Sequence, residues 1–481
     1  MHKLAALGDS LTMGFSSGAI YKTQYSYPAM IARALGAQDS FRAPAFDIDK
    51  GSTGGFPLNL ETLLRMLQKD YPHGISPVRF VGSLWTINWF MHSVEKFWER
   101  GHWFHAEAQP FNNLAVLSYT VQEAYRLSAD ICAKEIAHPK NQFFLFDQVP
   151  EFPLYRAALA TLASKQSRVT ALSRLEQLCA DGGVENLIVA IGANNCLGAI
   201  IDLSIKFSEE ADLYRQPHER KCNLWLPRHF EACIVELARR IRSLSVKNVF
   251  VSTVPHVTIP PVTRGTPPQH THKYYEYYTR PWIWDRTFDG DIHPHLTGND
   301  MMLLDEFVDY YNESIRGVAR DNGWHVVDFC AFLDSLAYRR LHGAVSYRWP
   351  SGALAALAKD GRASYLVRGN AATLDTRYIE LDKEEKIRRG GLFGLDGVHP
   401  TTIMYGLVAD VFLDKMKEQS VTRVDGSAPA MDWDYAVSND SLITSPPPML
   451  KDLRKVLSLL SGRVYGKILF SVLEKLRGNV S

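Results

Sequence analysis

The chain has 481 residues, 46% of them hydrophobic, with 53 basic residues against 52 acidic ones. That length allows one large domain or two to three ordinary ones, with ample apolar material for a core. The even charge balance gives no global sign of a nucleic-acid binder, and no apolar run reaches the roughly 18 residues of a membrane-spanning helix.

In chain order, the first element is a short apolar strand at 3–8, which stops at Gly8 ahead of Asp9, Ser10 and Leu11. Ser26-Tyr27-Pro28 followed by AMIARALG gives a capped helix with Gly36 as its stop. Residues 37–111 are long, irregular and aromatic, with Trp85, Trp89, Phe90, Trp98 and Trp103 among them. A stretch of that kind is expected to be an inserted lid or subdomain, its aromatics mainly core. Further strands are expected at 112–118, 186–192, 247–254 and 324–330, with amphipathic helices at 228–244 and 300–320. Residues 257–297, rich in Pro, His and Tyr, form a second insertion. Strands rich in Val, Ile and Leu that alternate with helices argue a mostly parallel sheet covered on both faces.

Near residue 420 the composition changes. Residues 421–448 have the composition of a linker. Beyond them, 449–481 repeat leucines at helical spacing among an excess of lysine and arginine. Such a basic amphipathic helix either docks on its own domain or lies on an anionic membrane surface. No secretory signal is visible ahead of the first motif, so a cytoplasmic protein is expected, with peripheral membrane contact through the tail as the alternative to docking. The six cysteines lack metal-ligand spacing and are expected to be reduced core residues.

Three segments carry chemistry. A strand ending in Gly-Asp-Ser can place the Ser10 hydroxyl at the carboxyl edge of a parallel sheet, where open α/β folds build their sites. A serine becomes a nucleophile when a base takes its proton and a third group orients that base. Asp396 and His399, three residues apart ahead of a helical run opened by Pro400, can supply both. The strand at 186–191 ends in Gly192-Ala193-Asn194, where glycine allows a sharp turn and the asparagine amide can face an oxyanion.

Together these segments resemble the GDSL, or SGNH, hydrolase superfamily over residues 1–418. Its first block is intact as Gly8-Asp9-Ser10-Leu11, its third as Gly192-Ala193-Asn194 and its fifth as Asp396-Gly397-Val398-His399. The second block corresponds to Asn113-Leu114-Ala115-Val116-Leu117-Ser118-Tyr119-Thr120, with Ser118 where the family has glycine. GSTGGF at 51–56 is a second source of that backbone donor, with flanks unlike the block. The resemblance implies a flavodoxin-like three-layer α/β/α sandwich with a central parallel sheet of about five strands over residues 1–420. It implies Ser10 as nucleophile, His399 as base and Asp396 as its orienting acid. The oxyanion hole would comprise the Ser10 and Ser118 N–H groups and the Asn194 amide. Asp9 and Gly192 would support the site, and no metal or organic cofactor is implied.

Two motif-like stretches are set aside. Gly14-Phe15-Ser16-Ser17-Gly18 has the letters of a nucleophile elbow, but no strand leads directly into Ser16. The histidines at 270, 272, 293 and 295 have no acidic or cysteine partner at ligand spacing and are expected to be solvated loop residues. The expected activity is hydrolysis of a carboxylic ester with a hydrophobic acyl group, of esterase, lipase or phospholipase type. A carbohydrate acetylesterase is the alternative, and a catalytically silent lipid-binding protein on the same scaffold is a third. The expected partner is a small-molecule or lipid ester, and no nucleic acid.

Overall fold

The computed structural model describes residues 1–21, 23–46, 54–72, 74, 80–100, 103–137, 152–164, 168–269, 273–447 and 449–450. At its centre is a parallel sheet of four strands, β1 (His2–Gly8), β2 (Val184–Ala190), β3 (Val246–Ser252) and β4 (His325–Val327), in that spatial order. The register sets Leu7 beside Val189, Val189 beside Val251, and Ser252 beside Val327. Leu4, Ala5, Ala6 and Leu7 are all buried. Consecutive residues point to opposite faces of a strand, so burial of all four requires cover on both sides.

Helices on both faces give that cover, among them α1 (Tyr27–Ala34), α2 (Pro227–Ile241), α3 (Gly298–Asn322) and α4 (Thr402–Glu418), while Ala171–Ala180 also packs on β1. Helix α1 packs on α4 and on β1, while α2 packs on α3, which touches β3 and β4. Each pair is keyed by stacked rings: Tyr27 on Phe412 at 5.1 Å and Phe230 on Tyr311 at 4.1 Å. Helix α1 starts as its sequence predicts, with Ser26 accepting from the Ala29 N–H.

The expected strand at 112–118 does not form as a regular strand. It runs parallel to β1 through three bonds: Ala6 N–H to the Asn112 carbonyl at 2.8 Å, Leu114 N–H to Ala6 at 2.8 Å, and Val116 N–H to Gly8 at 3.1 Å. On the side away from β1, the Asn113 side chain accepts from the Ala115 N–H, and it also donates to the Thr12 carbonyl. The regular sheet has four strands rather than five.

Residues 37–111 are more regular than their composition suggests. They contain helices Leu60–Asp70 and Phe80–Arg100. Ile87, Phe90, Met91, Val94 and Trp98 turn inward at helical spacing, whereas Trp85 and Trp89 are 73% and 63% exposed. Aromatic residues on both faces hid the period. Residues 257–297 carry a small antiparallel sheet of Arg264–Gln269, Tyr275–Thr279 and Leu296–Thr297.

The expected linker at 421–448 is packed into the domain over its described residues, 421–447. Helices Trp433–Ser438 and Ser441–Thr444 pack into the domain, burying Trp433, Val437, Leu442 and Ile443. Asp440 caps the second and also accepts from the Ile403 N–H at the start of α4. Arg33 of α1 pairs with Asp432 at 2.8 Å. Of the predicted tail, Met449 and Leu450 are buried and 451–481 lie outside the described residues. All six cysteines are free thiols, five of them buried. Among the described residues no helix is long and apolar enough to cross a membrane.

Candidate active site

Ser10 is delivered by the end of β1. A side chain at Gly8 would meet Thr12 Oγ1 at 2.2 Å and the Ala190 carbonyl at 2.6 Å, so only glycine lets β1 run this close to β2 before turning. Asp9 then caps the short helix Ser10–Met13 by accepting from the Leu11 N–H at 3.1 Å. Burial pushes the Asp9 carboxyl up to about 7, against the pull of that N–H and of nearby His399.

Asp396 and His399 reach the same point from the loop before α4. His399 Nε2 lies 2.8 Å from Ser10 Oγ, and its Nδ1 lies 3.2 Å from Asp396 Oδ2. The other Asp396 oxygen accepts from the Val398 and His399 N–H groups, at 2.8 and 2.9 Å. Burial alone would raise this carboxyl, but the charge and hydrogen bonds of His399, with the Val398 N–H, hold it below the usual range. The carboxylate therefore stays ionised, and its bond to Nδ1 favours the tautomer that leaves Nε2 free to accept from Ser10.

The loop is braced from several sides. The Gly18 N–H donates to Asp396 Oδ2 at 2.8 Å, and the Leu395 N–H donates to Ser17 Oγ at 3.1 Å. Phe15 packs on the imidazole at 4.3 Å. So Gly14–Gly18 supplies no nucleophile: Ser16 is buried in a hairpin opposite Ala19, and Ser17 and Gly18 hold the Asp396 loop. Sequence reasoning missed this support. Its one local signal was a small-residue stretch directly after the Ser10 segment.

The opposite wall comes from two other strand ends. Gly192 adopts φ 129°, where a Cβ would meet Val254 at 2.8 Å. The turn places Asn194 beside Ser10, with its Nδ2 donating to the Tyr119 carbonyl at 3.0 Å. An amide nitrogen carries a second N–H, so one remains for a ligand. Its neighbour Asn195 faces inward and accepts from the Val121 N–H. Ser118 lines the same cleft in the left-handed conformation, φ 63°. That is the backbone a glycine adopts without strain. Gly54–Phe56, the described part of the other glycine-rich stretch, instead leads into a pairing of Phe56 with Ile20.

Ser10 and His399 stand between two chambers. One is bounded by Ser118, Asn194, Glu123, Arg220 and Trp225. Its Arg220 is locked by Glu123 at 2.7 Å and by the Arg215 carbonyl at 2.8 Å, and lies over the Trp225 ring. The other is almost wholly apolar, with Phe329, Leu333, Phe393, Val398 and Met404 in its wall.

The histidine-rich stretch contributes to neither chamber. His293 and His295 bond to the local carbonyls of Asp289 and His293, while 270 and 272 lie outside the described residues. One trio of described side chains could meet at a metal, His256, Cys330 and Asp334, with donor atoms within 4.8 Å. Arg340 Nη1 stands 3.2 Å from His256 Nδ1 and 3.3 Å from Asp334, so a guanidinium already neutralises that position. The chain matches no protein-family model and no curated protein.

Proposed function

We propose that the chain is a serine ester hydrolase of the GDSL/SGNH type. The observation that carries this is the Ser10–His399–Asp396 hydrogen-bond chain, at 2.8 and 3.2 Å, at the mouth of two chambers. The sheet supports it: with 112–116 on the outer edge of β1, the strand order follows the flavodoxin-like pattern 2-1-3-4-5.

Ser10 Oγ attacks the acyl carbonyl as His399 Nε2 takes its proton. The ester's alkoxide leaves with that proton, and water then enters by the same route to free the acid and restore Ser10. Asp396 orients the ring and stabilises the imidazolium without taking the proton itself. The Ser10 and Ser118 N–H groups and the Asn194 amide hold the oxyanion. Loss of one such donor costs roughly 3 kcal/mol of barrier.

The apolar chamber suits a hydrophobic acyl chain, and the chamber holding Glu123 and Arg220 suits a polar portion of the ester. An acetyl group would use little of the apolar wall of Phe329, Leu333, Phe393 and Met404, so the carbohydrate acetylesterase is the second reading. Purified protein should hydrolyse p-nitrophenyl esters with a preference for acyl chains longer than acetyl, and Ser10→Ala should abolish this. Activity that persists in Ser10→Ala would sink the assignment. No turnover of any ester by the wild type would favour the silent lipid binder.

A further inference from the structure

A third cleft, of about 490 Å³, lies apart from Ser10 and has no part in the reading above. It opens between the strands of the second insertion and the segment from Tyr338 to Arg389. Its wall carries four arginines, Arg264, Arg339, Arg377 and Arg389, and one carboxylate, Asp285, which pairs with Arg264. Two further acids pair with Arg377 and Arg389. The Asp375 carboxylate is buried and accepts from Arg377 and from the Gly390 N–H, and Glu380 is shared between Arg388 and Arg389. The guanidiniums are also held in place: Arg264 by the Ile283 carbonyl at 2.8 Å, Arg339 by the Thr263 carbonyl at 2.8 Å, and Arg377 against the Tyr338 ring at 3.8 Å. Fixed forks of this kind recognise planar or tetrahedral oxyanions with little ordering left to do on binding. Exposed His342 at the rim adds a further donor.

We propose that this cleft binds a multiply charged anionic small molecule bearing phosphate or carboxylate groups. Its volume suits a ligand of metabolite size rather than a flat macromolecular contact. The cleft also backs onto the catalytic loop. Tyr378 Oη, from its wall, donates to the Leu395 carbonyl at 2.6 Å, and Val262, next to the Arg264 strand, donates its N–H to Gly397 at 2.8 Å. An anion bound here therefore rests on the two segments that hold Asp396 and His399.

Titration calorimetry of the full chain at low salt, with pyrophosphate in one arm and citrate in the other, tests this. The expected result is saturable one-to-one binding of at least one of them, weakened by added sodium chloride. The tighter arm tells phosphate from carboxylate. Arg339→Gln should weaken binding at least tenfold. His342→Glu, at an exposed position that leaves the core untouched, should weaken it in the same direction. Ser10→Ala should bind as the wild type does, so the outcome is independent of the ester hydrolase reading. Absence of saturable binding in both arms, or equal affinity in wild type, Arg339→Gln and His342→Glu, would overturn the proposal.

Discussion

At the scale of single residues, the site depends on atoms that few substitutions could reproduce. Asp396 accepts four hydrogen bonds, from Gly18, Val398 and His399 N–H groups and from the imidazole Nδ1. Asp396→Asn can present an N–H to Nδ1 and so reverse the tautomer of His399. Ester turnover should then fall by about 10⁴ with little change in KM, as steady-state kinetics would show. Ser118 makes a different prediction. Its left-handed backbone, φ 63°, strains any residue with a Cβ. Ser118→Gly should exceed Ser118→Ala in stability by about 1 kcal/mol in urea unfolding, the reverse of the ordinary order at an alanine-tolerant site. An alanine variant as stable as the glycine variant would show that the left-handed turn is not kept. The candidate trio of Ser10, His399 and Asp396 was legible because each residue sits in a short motif with its own turn. Ser17 and Gly18 were not, because they meet the Asp396 loop from 378 positions away in the chain.

At the scale of elements, caps decide where chain segments begin and how they respond to pH. Asp9 caps the helix that starts at Ser10, and burial lifts its carboxyl to about 7. Unfolded, it would titrate near 4. Between those values the folded state holds the proton more tightly. The contribution is thus fully present below about pH 4 and is lost as pH rises through about 7. Asp9→Asn keeps a capping oxygen but does not titrate, so its stability should vary less over this window than the wild type's, as urea unfolding at each pH would show. Identical pH profiles would refute the assignment. Asp440 ties two elements, its oxygens accepting from Ile403 at the start of α4 and from Leu442 and Ile443. Asp440→Ala should cost about 1 to 2 kcal/mol. The helix at 80–100 shows the limit of pattern reading: Trp85 and Trp89 face solvent while Phe90 and Trp98 face the core, so hydrophobicity alone shows no stripe.

At the scale of the molecule, the part that resembled a linker completes the fold. Trp433 packs against Gly352 and Gly406, where a Cβ would meet its ring at 2.6 and 3.1 Å, and so joins α4 to the helix Ser351–Lys359. Truncation after Ser420 would uncover this surface together with Leu442 and Ile443. It should lower the thermal midpoint markedly or abolish cooperative unfolding, by calorimetry or circular dichroism. An unchanged midpoint would mean that 421–450 is dispensable after all.

By itself, the sequence determined the local grammar of this protein. Short apolar runs pointed to the four strands of the sheet, Ser26 and Pro28 to the start of α1, and two short motifs to the candidate serine, base and acid. These features act over a few residues, where backbone sterics and capping dominate. Only the tertiary structure decided what meets across the chain. The packing of 421–447, the two chambers beside Ser10, the Ser17–Gly18 brace and the arginine cleft all join segments remote in sequence. Such contacts depend on how whole elements bury their apolar faces against one another, and no local pattern records that.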